Sequence, residues 1–345
     1  MEYRKLGNTG TLISELCLGT MTFGGQTSEP EAKKIMDRFS EEGGIFFDTA
    51  NVYTGGKSEE ILGNWLSEHD RDDYVIATKV RFQSGKSKNS IGLGRKHILK
   101  SVDESLKRLK TDYIDLLQVH TWDPVTPLEE TLATLTGLVD SGIVRYIGAS
   151  NLRAWQFEKA LGVSRERGLE KFVSLQPQYN LLSRSTENEI IPMAVNEDVA
   201  ILPWSPLKSG VLSGKYTSDM QSPPEGTRLG DAYKSGRKTP WELNNNQFTW
   251  SVVTTLSNVA RKVEKTNSQV ALNWLLSKKG VTSPIIGVRT MDHLMDNLGS
   301  LGWKLTKSEM AELDEASRLY VTYPYDLWSE NQQRSGIMKD LEEIE

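Results

Sequence analysis

The sequence predicts an eight-stranded β/α barrel of the TIM type. Eight short apolar or β-branched runs read as buried parallel strands, amphipathic stretches with helical spacing lie between them, and most runs begin about 26–39 residues apart. An open doubly wound sheet is the competing architecture. In order, the strand candidates are Leu16–Thr20, Ile45–Ala50, Tyr74–Val80, Tyr113–His120, Tyr146–Ser150, Phe172–Gln176, Ala200–Pro206 and Ser283–Val288. The helix candidates between them are Glu31–Glu42, Glu59–His69, Lys96–Leu109, Leu128–Ser141, Ala154–Arg167, Glu187–Asn196 and Gln269–Lys279. In the third, Ile98, Val102, Leu106 and Leu109 step by three and four, which gives one buried face. Gly43-Gly44 and Gly142 stand where a helix would end before the next strand.

Two segments depart from the cycle. Tyr3–Ser14, with Asn8-Thr9-Gly10 at its middle, reads as a β-hairpin closing the N-terminal end of the barrel. Lys208 to about Trp250 is a long connection after the seventh strand, and Ser222–Asn246 within it carries Pro223-Pro224, Gly226, Gly230, Gly236 and Pro240. That composition reads as a loop without secondary structure, either a functional lid or a disordered polar insert. The expectation is one barrel domain over 1–345, with the hairpin at 3–14, the barrel at 16–288, and C-terminal helices and a tail at 289–345.

Hydrophobic residues make up 37 % and charged residues 25 % of the 345, a globular composition. The net charge of −5 gives no general attraction to nucleic acid or to anionic lipid. Cys17 is the only cysteine, so no intrachain disulfide can form, and Leu16 and Leu18 beside it suggest a small core residue. No run reaches the roughly 20 apolar residues of a membrane span, and the N-terminus lacks a signal-type apolar stretch. A cytoplasmic protein without direct membrane insertion is expected.

In such a barrel, chemistry gathers at the C-terminal ends of the strands. There the second strand ends in Asp48-Thr49-Ala50 with Tyr53 just beyond, the third in Thr78-Lys79-Val80, and the fourth in Gln118-Val119-His120. A free phenol titrates near 10. An ammonium beside it favours the phenolate, and an aspartate would fix that lysine. An imidazole could orient a carbonyl or help pass the proton. No side chain supplies hydride, so a nicotinamide cofactor is implied. Singly, Asp48 could cap a turn, Tyr53 could be a rim aromatic, Lys79 a solvated strand end and His120 a core residue. Four together on three consecutive strands point to proton transfer. Asn51–Ser58 approaches a phosphate-binding P-loop but lacks its first glycine, and the four histidines and one cysteine are too scattered for a metal site.

Asp48-Thr49-Ala50-Asn51-Val52-Tyr53, Thr78-Lys79 and Asp115–His120 resemble the signatures of aldo-keto reductases. The resemblance runs from about Tyr3 to Trp303. It implies Tyr53 as general acid, Lys79 and Asp48 as its tuning groups, and His120 as orienter of the substrate carbonyl. It also implies a nicotinamide pocket of Thr20, Met21, Gln26, Asp48, Ser150, Asn151 and Gln176. Trp204, in Trp204-Ser205-Pro206-Leu207, matches the ring that stacks on the nicotinamide. Lys215 and Arg228 match a loop over the pyrophosphate. Gly287, Arg289, Asp296 and Asn297 match an adenosine segment suited to a 2′-phosphate, hence NADP(H). His293 departs from the arginine or glutamine frequent at that position.

The expected activity is NADP(H)-dependent reduction of aldehydes or ketones to alcohols. The sequence also resembles cytosolic β subunits of voltage-gated potassium channels, around Phe23–Gln26, Leu93–His97 and Trp204–Leu207. That resemblance implies a regulatory NADP(H)-binding alternative with little catalysis. Those subunits carry asparagine where His120 stands, which favours an enzyme here. Channel and homo-oligomer contacts stay open. The substrate pocket is expected near Trp122, Met21, Phe23, Phe82 and Tyr323 to Trp328, which leaves apolar and sugar carbonyls as alternatives.

Overall fold

A computed structural model describes residues 1–320 and 322–325. Strands β1 (Tyr3–Lys5) and β2 (Leu12–Ser14) pair antiparallel, with Tyr3 opposite Ser14. The barrel strands are β3 (Cys17–Gly19), β4 (Phe46–Asp48), β5 (Val75–Val80), β6 (Ile114–Val119), β7 (Val144–Ser150), β8 (Phe172–Gln176), β9 (Ala200–Ile201) and β10 (Ile285–Gly287). All run parallel, in the order β10-β3-β4-β5-β6-β7-β8-β9. The remaining seam is closed by the Thr282 amide donating to the Ile201 carbonyl at 2.9 Å and the Ile285 amide to the Pro203 carbonyl at 2.8 Å. The fold is the expected (β/α)₈ barrel with its N-terminal hairpin.

The helices are α1 (Glu29–Glu41), α2 (Lys57–Leu66), α3 (Arg95–Leu109), α4 (Leu128–Asp140), α5 (Ala154–Arg167), α6 (Thr186–Asn196), α7 (Arg228–Lys234), α8 (Thr239–Asn244), α9 (Gln247–Lys262), α10 (Asn267–Leu276), α11 (Met291–Leu298) and α12 (Lys307–Ala316). None among the described residues is long and apolar enough to cross a membrane. Two expectations need correction. Ser222–Asn246 is not a loop without secondary structure, because it contains α7 and α8. The Thr227 hydroxyl caps α7 by accepting from the Gly230 amide, and Pro240 stands in the first turn of α8, where its missing N–H costs nothing. The seventh barrel strand has two ladder residues rather than seven, and Pro203 within the expected run has no amide hydrogen to donate.

Side chains alternate along each strand, so every second residue faces the barrel interior. Cys17, Phe46, Val75, Ala77, Leu116, Ala200, Leu202 and Ile285 form one apolar cluster, sealed by Leu6 and Ile13 from the hairpin region. Burial pushes the Cys17 thiol well above its ordinary value, as suits a packed and unreactive sulfur. Two residues further along the same rows stand Asp48 after Phe46, Lys79 after Ala77, and Gln118 after Leu116. The interior is therefore apolar at its base and polar at its top. A second apolar cluster, including Phe47, Ile76, Leu117 and Ile147, packs the helices against the outer sheet.

Candidate active site

The centre of the polar layer is the Lys79 ammonium. It donates to Asp48 Oδ1 at 2.5 Å, to the Thr49 carbonyl at 2.8 Å and to the Tyr53 hydroxyl at 3.2 Å. Lys79 and Asp48 are buried, so the pair is stable only because three acceptors replace the ammonium's water. Asp48 is further engaged through Oδ2, which accepts from Gln176 Nε2 at 2.9 Å and Gln118 Nε2 at 3.2 Å. Tyr53 reaches the site from a tight turn, in which Thr54, Gly55 and Gly56 have φ of 51°, 66° and 95°. A Cβ at position 56 would approach the Arg108 side chain to 3.0 Å, so glycine serves there for both backbone and space.

The strand end that carries Lys79 is braced from outside. Buried Glu59 of α2 accepts from the Thr78 hydroxyl at 2.6 Å and from the Arg108 guanidinium of α3 at 2.8 Å. Ser58 donates to the Thr20 carbonyl at 2.8 Å and shares hydrogen bonds with the Thr20 and Thr49 hydroxyls, which ties the ends of β3 and β4 together.

Burial pushes the Tyr53 phenol above its ordinary value; Lys79 pulls it down, and Asp48 pushes it up. The sequence predicts that the ammonium favours the phenolate. Its downward pull is present, but desolvation outweighs it. For Lys79 itself burial opposes the charge, yet Asp48 and Tyr53 hold its pKa above the ordinary lysine value. His120 is pushed down to about 3 by burial and by the neighbouring Lys79 and Arg81 charges, so its imidazole is neutral at pH 7. Its ring lies edge-on to Tyr53, with centroids 5.9 Å apart.

These groups open onto a cavity of about 580 Å³. Tyr53, His120, Asp48, Ser150, Asn151, Gln176 and Trp204–Leu207 line it, together with Lys215, Arg228, Gly287, Arg289, His293, Asp296 and Asn297. The Trp204 indole donates to Asn151 Oδ1 at 3.0 Å, while Asn151 Nδ2 donates to the His120 carbonyl at 3.0 Å. Asn151 adopts φ 56°, a left-handed conformation that asparagine tolerates better than most residues. One side chain thus fixes the indole relative to the strand that bears His120.

Lys215, Arg228, Arg289 and His293 form a basic cluster in this lining, with Asp231 pairing only Arg289. Burial lowers the Lys215 pKa, with Arg289 adding to the effect; Arg228 is lowered by burial and then Arg289; His293 by burial, then Lys215 and Arg289. Mutual repulsion of this kind is relieved by a bound anion. Arg289 is held by the Gly226 carbonyl at 3.0 Å and by Asp231 of α7 at 3.2 Å, which draws the 222–246 segment over the cavity. Gly210 has φ 87°, and a Cβ there would come within 2.5 Å of Lys215 Cε. With a basic cluster, an indole and polar amide and hydroxyl groups in one lining, the cavity fits a nicotinamide dinucleotide.

Most residues singled out in the sequence line this space, but not all. Thr20 is buried in the strand-end brace, and Gln26 is exposed away from the cavity. Phe23, expected in the substrate pocket, is wholly buried in the core. Met21 lines the cavity, its sulfur 4.0 Å from the Arg228 guanidinium, whereas Phe82 is exposed and packs edge-on to His120 outside the lining. Tyr323 is exposed, and Trp328 lies outside the described residues. Gln118, which also binds Asp48, escaped the sequence reading although it occupies the inward row between Leu116 and His120. Thr22, Ser209, Ser213 and Ser268 also line the cavity without having been singled out.

A family model described as the aldo/keto reductase family matches residues 15–318. The versiconal hemiacetal acetate reductase of Aspergillus parasiticus is 33 % identical, across 91 % of this chain and 96 % of that protein. An uncharacterized oxidoreductase of Bacillus subtilis, YrpG, is 36 % identical across 91 % and 95 %. A probable voltage-gated potassium channel subunit beta of Arabidopsis thaliana is 36 % identical across 86 % and 90 %. The barrel and its polar mouth therefore have a plain family context: the chain belongs to the aldo/keto reductase family. It is accordingly an oxidoreductase by family, and that family acts on small-molecule carbonyl compounds.

Proposed function

We propose that this protein reduces aldehydes or ketones to alcohols with NADP(H), and that Tyr53 delivers the proton. One observation carries the proposal: the Tyr53 hydroxyl lies 3.2 Å from a buried ammonium, on a cavity that leads to the basic cluster of Lys215, Arg228 and Arg289. Bound along that cavity, the dinucleotide would supply the hydride. Trp204 would floor the nicotinamide, with Ser150, Asn151 and Gln176 offering polar contacts to its carboxamide. Lys215 and Arg228 would hold the pyrophosphate, and Arg289 with His293 a 2′-phosphate.

The protein's own groups then handle the substrate oxygen. Tyr53, kept protonated by its burial, is an acid whose proton can pass to an oxyanion in its reach. Lys79 stays charged and stabilises the phenolate left behind, while Asp48, anchored by Gln118 and Gln176, keeps Lys79 in place. Neutral His120 can donate a hydrogen bond to a carbonyl without adding charge. Such general acid catalysis contributes roughly 10²–10⁴ in rate. The reductase names of the relatives support the same chemistry. Purified protein should oxidise NADPH when given nitrobenzaldehyde, followed by absorbance, and should do so more readily than NADH. No oxidation with any activated aldehyde would overturn the proposal, and equal use of both cofactors would overturn the 2′-phosphate assignment.

A further inference from the structure

Beyond the cluster around Lys79, hydrogen-bonding capacity is left unused at one corner of the mouth. Among the described residues, four of the six buried side-chain polar atoms without a partner belong to Asn51, Arg81 and His120. These three residues meet around the end of β5. The Asn51 amide donates to the Lys79 carbonyl at 3.3 Å, the His120 amide to the Val80 carbonyl at 3.0 Å, and Arg81 is the next residue along. Arg81 has φ 154°, a conformation that non-glycine residues rarely hold and that tends to mark functional sites.

Among the described residues Arg81 forms no salt bridge, and the opposite charge it shares a field with is Asp123. The guanidinium's field is felt by His120 and by Asp123, but the Asp123 carboxylate is already taken by the Leu93 amide at 2.7 Å, the Val125 amide at 3.0 Å and the Thr126 hydroxyl at 2.7 Å. The guanidinium carbon lies 5.4 Å from the Phe82 ring centre, and that ring lies 4.7 Å from the His120 ring, which lines the cavity. A guanidinium without a salt bridge, packed beside Phe82 and one ring away from the His120 imidazole, is suited to a flat substrate bearing an acidic group.

Given the carbonyl reduction proposed above, on which it rests, we infer that Arg81 is a specificity-determining residue that selects aromatic aldehydes or ketones carrying an anionic substituent. The guanidinium would bind the substituent's oxygens while Phe82 packs on the ring and the carbonyl lies between Tyr53 and His120. Arg81 takes no part in proton or hydride transfer, so its loss should act mainly on KM.

The test compares 4-carboxybenzaldehyde with its neutral methyl ester in the full chain and in Arg81→Met and Arg81→Lys. For the carboxylate, Arg81→Met should lower kcat/KM by about 10- to 100-fold, chiefly through KM. Arg81→Lys should recover part of that loss, because it keeps the charge but not the planar fork. The ester should change by less than about threefold in both variants. Binding of 4-(hydroxymethyl)benzoate to the NADPH-loaded protein, read by NADPH fluorescence, should weaken in parallel and needs no turnover. If carboxylate and ester respond alike to Arg81→Met, or benzoate binding is unchanged, the inference is overturned. If wild-type protein turns over neither aldehyde, the carbonyl reduction itself is what fails, and the binding measurement still decides whether Arg81 holds the acid.

Discussion

Replacing Tyr53 by Phe removes one oxygen and separates chemistry from stability. Lys79 donates to Asp48 Oδ1 at 2.5 Å, the Thr49 carbonyl at 2.8 Å and the Tyr53 hydroxyl at 3.2 Å, so the variant removes the longest of three contacts and leaves the ion pair whole. Folding stability should change by no more than about 1 kcal/mol, the net worth of a typical hydrogen bond. Removing the general acid should slow the chemical step by roughly 10²–10⁴, or about 2.7–5.4 kcal/mol of barrier at 1.36 kcal/mol per tenfold. NADPH affinity should hold, because the phenol makes no hydrogen bond to Lys215, Arg228 or Arg289 and Phe keeps the ring. The measurements are initial rates from NADPH absorbance, cofactor titration by fluorescence, and urea unfolding. A kcat within twofold of wild type, with normal cofactor binding, would refute the assignment of Tyr53 as proton donor.

Three further expectations follow from other parts of the structure. Arg108→Met leaves the wholly buried Glu59 carboxylate without its ionic partner and should cost about 3–5 kcal/mol in urea unfolding, while a loss under 1 kcal/mol would mean that Glu59 does not depend on Arg108. His120 is pushed down to about 3, against an ordinary value near 6.5, so between those limits the unfolded chain takes up a proton that the folded chain refuses. Stability should therefore fall as pH drops through that window, by up to about 1.4 kcal/mol per pH unit; His120→Asn should flatten the slope between pH 6.5 and 4, and identical slopes in both proteins would contradict a neutral imidazole. Lys215→Ala should weaken NADPH binding by about 1–3 kcal/mol, seen in fluorescence titration, and an unchanged affinity would remove Lys215 from the phosphate site.

The elements legible in the sequence were those whose burial writes a pattern. Phe172–Gln176 and Ala154–Arg167 have the expected bounds, because Pro177 has no amide to extend the strand and Gly168, at φ 63°, ends the helix. Asp48, Tyr53, Lys79 and His120 were legible for the opposite reason: polar residues at the ends of apolar strands stand out. The 222–246 segment misled because proline and glycine were counted as breakers, whereas Pro240 begins a helix and Gly236, at φ 85°, follows one. The net direction of the Tyr53 shift was not legible either, since a neighbouring ammonium is visible in sequence and the depth of burial is not. Gln118 lay hidden because an amide at a strand end looks inert until its Asp48 partner is seen.

The central claim is that the cavity joining Tyr53 to the basic cluster supports hydride transfer to a carbonyl carbon. It is tested most directly by turning over an aromatic aldehyde with NADPH deuterated at the transferable C4 position and analysing the alcohol by mass spectrometry. One deuterium at the carbinol carbon is the expected result, and Tyr53→Phe should give labelled alcohol in a yield lowered by roughly 10²–10⁴ at matched time. An alcohol formed without deuterium, or NADPH consumed with no alcohol formed, would contradict the account.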